Sequence, residues 1–258
     1  MLSTPYSLPY VVRVQPELAY GTHDVSIRVV MARPASHESA EALNATVLPF
    51  LLLLSSGALA GESIQPWTST VENWSEPLVH AATIEWRLSS VTCDLRAWVV
   101  LAQMLLIDHP DHPISHIEIM DPRRPNELIE VLQRQTRTNP YPRQWSGINF
   151  PVDLHDEIDK EFTVCVSFTR PVSETEQARI NGAFFDWAPG LIQGAYGVAP
   201  VPPDRCIGIP DPKVLFIDNE LEWIIRSFKA HTFAIVGLIN VVASISHQVV
   251  QVTGFRLE

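Results

Sequence analysis

The chain has 258 residues, 46% of them hydrophobic and 18% charged, with a net charge of −11. That composition supplies a sizeable core and excludes a wholly disordered chain. The negative field excludes a nucleic-acid backbone as partner, because phosphates need a positive surface, and it suits a basic protein or a cationic ligand.

Residues 1–23 read as an N-terminal extension. The opening MLSTPYSLPY lacks the basic and apolar regions of a secretory leader. The apolar runs from Leu48 to Leu54, Trp98 to Ile107 and Phe233 to Ser244 are shorter than the ~20 residues a membrane-spanning helix needs. A cytoplasmic protein without a membrane partner is therefore expected.

From residue 24 the chain alternates. Val25, Ile27, Val29 and Met31 share one face against Ser26 and Arg28, which predicts a strand. Ala40, Leu43, Val47, Phe50 and Leu54 then recur at steps of three and four, which predicts an amphipathic helix that Pro49 should break or kink. A Pro-rich stretch from Gln65 to Pro77 leads past a weak strand near Val79 to a second alternation. There Ile84, Trp86 and Leu88 oppose Glu85 and Arg87. An apolar helix from about Leu95 to Ile107 and a strand at Ile117–Ile119 complete the unit.

The same order returns at a constant offset of 137 positions, with Arg33 falling on Arg170, Asn44 on Asn181 and Glu85-Trp86 on Glu222-Trp223. Phe162, Val164, Val166 and Phe168 form the strand, and Ser173 with Glu176 forms a capping box ahead of a helix carrying Ile180, Phe184, Trp187 and Leu191. Pro189 should interrupt that helix. A weak strand near Leu215, an alternation at Leu221, Trp223 and Ile225, a helix from Thr232 to Ser246 and a strand at Phe255-x-Leu257 follow.

One supersecondary unit repeated at fixed spacing predicts an α+β protein of tandem ferredoxin-like βαββαβ repeats. Each repeat is expected to be an antiparallel sheet covered by helices on one face. Residues 24–120 are the first repeat, 121–160 a linker packing on both, and 161–258 the second. The linker carries Arg123, Arg124, Arg134, Arg137 and Arg143, a short helix around Leu128–Leu132, and an acidic end with Asp153, Asp156, Glu157 and Asp159.

No nucleophile elbow, Gly-rich phosphate loop or Cys/His pair appears, and Gly194-x-x-Gly197 reads as a helix exit. Cys93, Cys165 and Cys206 are widely spaced, as in reduced core thiols. His109, His112 and His116 cluster between prolines without a zinc-type spacing, and the acidic run lacks the glycine of a calcium loop, so neither metal nor cofactor is expected. Trp86 and Trp223 belong to the core, whereas Trp67, Trp74 and Trp145 lie in Pro-rich or polar loops and suit an anchoring role at a protein interface.

Two functions remain in view. The first is a non-catalytic docking protein for a basic partner, in its most concrete form an immunity-type inhibitor of a basic toxic enzyme. It would use Asp153, Asp156, Glu157, Asp159, Trp67, Trp74 and Trp145. The second is a small-molecule site in a polar cleft between the repeats lined by Arg28, Glu85, Arg87, Glu222 and Arg226, where Glu85 and Glu222 serve as an acid–base pair.

Overall fold

The chain is represented by a computed structural model that describes residues 10–61, 64–109, 113–124, 147–154, 161–193, 195, 209–210, 212–226 and 233–258. It is an α+β protein whose described residues form two mixed sheets and four α-helices.

The first sheet contains β1 (Val11–Val14), β2 (His23–Met31), β3 (Asn73–Trp74), β4 (Leu78–His80), β5 (Thr83–Val91) and β6 (Ile114–Met120). Helix α1 (His37–Ser55) follows β2 and α2 (Ala97–Asp108) follows β5. The second sheet contains β7 (Val152–Leu154), β8 (Phe162–Phe168), β9 (Ile209–Pro210), β10 (Leu215–Ile217), β11 (Glu220–Arg226) and β12 (Val252–Leu257). Here α3 (Glu174–Ile192) follows β8 and α4 (Phe233–Gln248) follows β11.

Across the first sheet the order is β1-β6-β2-β5, with β3 and β4 both beside β5; across the second it is β7-β12-β8-β11, with β10 and β9 beside β11. All neighbours are antiparallel except β1 on β6 and β7 on β12, which run parallel. The expectation of purely antiparallel sheets is corrected by these two edge strands. They come from segments assigned to an extension and a linker, because strands of four and three residues are too short to show an alternation. Gln15 anchors the first of them, its Nε2 donating to the Arg124 carbonyl and its Oε1 accepting from the Asp121 amide at 2.7 Å.

Ser36 caps α1, its Oγ accepting from the Ser39 amide at 3.0 Å, and Ser173 with Glu176 forms a reciprocal capping box on α3. Neither helix stops at its proline: Pro49 and Pro189 lie inside α1 and α3. For Pro49 there is a physical reason. Proline lacks the N–H that would bond the carbonyl four residues back, and that carbonyl, Ala45 O, instead accepts from Gln193 Nε2 at 3.0 Å.

Helix α2 is buried from Ala97 to Leu105, and most described positions of α4 are buried too. A helix apolar on every side needs a neighbour on each, and the contacts supply them. Helix α1 packs on α2 and α3, α3 on α4, and α4 on the 3-10 turn Pro66–Thr68. The helices thus meet between the two sheets, and one hydrophobic cluster runs through both units. Polar ties cross the same seam: Asn240 Nδ2 donates to Ala60 O at 3.2 Å and Gln248 Nε2 to Trp67 O at 2.7 Å. Among the described residues no helix is long and apolar enough to cross a membrane.

Candidate functional site

Because the helices fill the space between the sheets, each sheet turns its other face outward. Residues paired across neighbouring strands share a face, so the register gives the outward rows directly. In the first sheet the row reads Leu78, Glu85, Arg28, Glu118, Arg13. In the second it reads Leu215, Glu222, Cys165, Arg256, Asp153.

The first row is an alternating charge ladder. Glu85 is 4% exposed and is held on three sides: Arg87 Nε donates at 3.1 Å, Arg28 Nε at 3.2 Å and Ser26 Oγ at 3.1 Å. Burial pushes its carboxyl up, but the Arg87 hydrogen bond, the Arg28 charge and the Ser26 hydroxyl outweigh burial and hold it below the usual carboxylate range. Glu118 pairs with Arg13 at 3.6 Å and with His116 at 3.2 Å.

The second row keeps the glutamate and loses the clasp. Cys165 stands where Arg28 stood, Ile224 where Arg87 stood, and Thr163 where Ser26 stood. Burial, and then the nearby Glu258 carboxylate, push the Cys165 thiol up to about 11, so it brings no charge to Glu222. Arg256 turns instead to Glu258 at 2.8 Å and Glu220 at 3.7 Å. Beside Glu222 lies an open cavity of about 160 Å³ lined by Thr163, Lys213, Leu215, Glu222 and Ile224. The edge strand next to it exposes Leu215 and Ile217, the latter 53% exposed.

The sequence-derived cleft set is therefore not brought together. Arg28, Glu85 and Arg87 lie on the outer face of one sheet and Glu222 on that of the other, with packed helices between, so Glu85 and Glu222 form no acid–base pair. Arg226 is exposed and pairs with Glu161 at 3.5 Å.

Of the expected docking residues, Asp153 is exposed on β7 opposite Arg256, at the rim of the second row. Trp74 is 41% exposed on β3. Trp67 departs from the expected exposure. It is half-buried in the seam between the units, with its ring stacked on His247 at 4.5 Å. Trp145, Asp156, Glu157 and Asp159 lie outside the described residues, as do His112, Cys206, Gly194, Gly197 and the helix expected around Leu128. His109 Nε2 bonds Thr46 Oγ1 at 2.9 Å, and among the described residues no group of His, Cys, Asp and Glu is placed to hold a metal ion.

Sequence reasoning placed Ile224 on the open face of the second sheet but did not count Leu215, Ile217 or Thr163 among the site residues. The signal was present in the difference between the repeats: outward positions 28 and 165, 87 and 224, and 80 and 217 change chemistry, while inward positions such as Trp86 and Trp223 do not.

No protein-family model and no curated protein matches this chain. Among solved structures, a Cas6 product complex aligns over 90% of this chain and 99% of its own at 14% identity and a TM-score of 0.23. A likeness at that score carries no argument about fold or activity.

Proposed function

We propose that the chain is a tandem ferredoxin-like protein that works without catalysis in the cytoplasm, docking a basic protein partner on the outer face of its second sheet. The split βαβ strand order in both units, with an added parallel edge strand, supports the first half of this reading. The unbridged, buried Cys93 and Cys165 are in keeping with a reducing compartment.

The observation that carries the second half is the contrast between the outward rows. The first sheet neutralises its carboxylates with Arg13, Arg28 and Arg87. The second leaves Glu222 without either arginine, sets Asp153 at its rim, and exposes Ile217 next to Leu215, which is the counterpart of the equally exposed Leu78. Apolar side chains amid acidic ones suit a partner that brings both burial and positive charge, and the net charge of −11 steers such a partner inward. The concrete form we favour is an inhibitor that covers the cationic site of a basic toxic enzyme.

The test is capture from the native host with the tagged protein, repeated with Glu220→Lys/Glu222→Lys and with Glu38→Lys/Glu41→Lys on the exposed start of α1. One stoichiometric basic protein should be retained, released by high salt, lost with the sheet variant and kept with the helix variant. Retention by the sheet variant would remove this face from the interface.

A further inference from the structure

We propose that the cavity beside Glu222 receives one arginine side chain of the partner, an intermolecular counterpart of the guanidinium contacts that Arg28 and Arg87 make to Glu85. The idea deepens the docking reading and rests on it for the source of the arginine. Its basis is that the molecule contains the same site twice, once filled from within and once not.

In the filled version, Glu85 receives Arg87 from two residues along its own strand and Arg28 from the strand opposite, with Ser26 adding a hydroxyl. In the other version the backbone pairing is unchanged, since Glu222 faces Cys165 and Ile224 faces Thr163 as Glu85 faces Arg28 and Arg87 faces Ser26. Thr163 retains the hydroxyl. The two guanidinium positions hold a buried neutral thiol and a branched aliphatic side chain, and the second of these, Ile224, lines the cavity of about 160 Å³ with Glu222 and Thr163.

The lining selects the ligand. The Glu222 carboxylate in the lining favours the planar fork of a guanidinium, which bonds two oxygens at once, over a point-charge ammonium. Ile224 and the 39%-exposed Leu215 give apolar walls against which an arginine stem packs. Lys213 also lines the cavity and is exposed, so its ammonium can swing into solvent as the guanidinium enters.

The experiment is an amide-resolved NMR titration of the full chain with N-acetyl-L-arginine amide, alongside N-acetyl-L-lysine amide. Saturable shifts are expected at Thr163, Leu215 and Ile224 with the arginine probe, about tenfold weaker with the lysine probe. Glu222→Gln should abolish them. Ile224→Arg, which supplies the guanidinium from within as Arg87 does, should occupy the cavity and block the probe. Absence of saturable shifts, equal response to both probes, or unchanged binding in Glu222→Gln would each overturn the proposal. Capture of a basic protein that persists in Glu222→Gln but is lost in Glu220→Lys/Glu222→Lys would sink the arginine site and leave the docking reading standing. Arginine binding with no partner captured would do the reverse.

Discussion

The carbonyl oxygen of Ala45 in α1 accepts from the side-chain amide of Gln193, just past the end of α3, at 3.0 Å. Pro49 removes the backbone donor that would have met this oxygen, so a residue of the second unit completes a helix of the first. Gln193→Ala should lower stability by about 0.5–1.5 kcal/mol, the net worth of one hydrogen bond. With Pro49→Ala the helix regains its own N–H, and the cost of Gln193→Ala should shrink. A double-mutant cycle by urea denaturation reads the coupling; zero coupling would separate the proline from the glutamine.

Gly190 makes the same seam close. A Cβ built there would lie 2.1 Å from Leu53 Cδ1 and 2.4 Å from Cγ, inside a fully buried side chain. Alanine at position 190 gains helix propensity of about 1 kcal/mol, yet overpacking costs about 1–3 kcal/mol. Gly190→Ala should therefore destabilise overall, and Leu53→Ala should cost less in that background than alone. Thermal unfolding of the four proteins decides it, and a stabilised Gly190→Ala would show that Leu53 can move aside.

Glu85 predicts a pH dependence with a defined sign. Its carboxyl titrates below the ordinary value of 4.5, so the folded state favours the charged form more than the unfolded state does. The resulting stability is present above the ordinary value and is lost as pH falls through the depressed one. Glu85→Gln should cost about 1.5–3 kcal/mol at neutral pH, the worth of hydrogen bonds to a charged group. It should also flatten the acid limb of the stability curve. An acid limb identical to that of the parent would assign the pH dependence to other carboxylates, Glu176 among them, whose hydrogen bonds from Arg170 and Ser173 hold it at about 2.

What the sequence made legible follows from periodicity. Val25, Ile27 and Val29 and their counterparts Phe162, Val164 and Val166 place two strands with one buried face each, and the 137-residue offset places two units. Four helices and two sheets follow from these patterns. The parallel strands β1 and β7 did not, because three or four residues carry no period and their partners β6 and β12 lie far along the chain. The continuity of α1 past Pro49 was equally hidden, since it depends on Gln193. The candidate site was half visible. Charge alternation identified Glu85, Arg28, Arg87 and Glu222 as outward residues, but only the packing of helix on helix shows that the two sets face away from each other. The consequence of Cys165 and Ile224 appears once register places them around Glu222.

The two repeats also allow one substitution to be judged against its own twin. Trp86 Nε1 donates to Asn44 Oδ1 at 2.8 Å inside the first unit. At the equivalent place in the second, Asn181 Oδ1 is buried without a hydrogen-bond partner, and Trp223 packs edge-on against Phe184 and Trp187 at centroid distances of 5.1 and 5.8 Å. Asn44→Leu leaves a fully buried indole N–H without its acceptor and should cost about 1–3 kcal/mol. Asn181→Leu removes an oxygen that already makes no bond, so it should be neutral or stabilising. Chemical denaturation of the two single variants gives the comparison directly. Equal losses at both positions would mean that shape, rather than the hydrogen bond, is what the asparagine supplies.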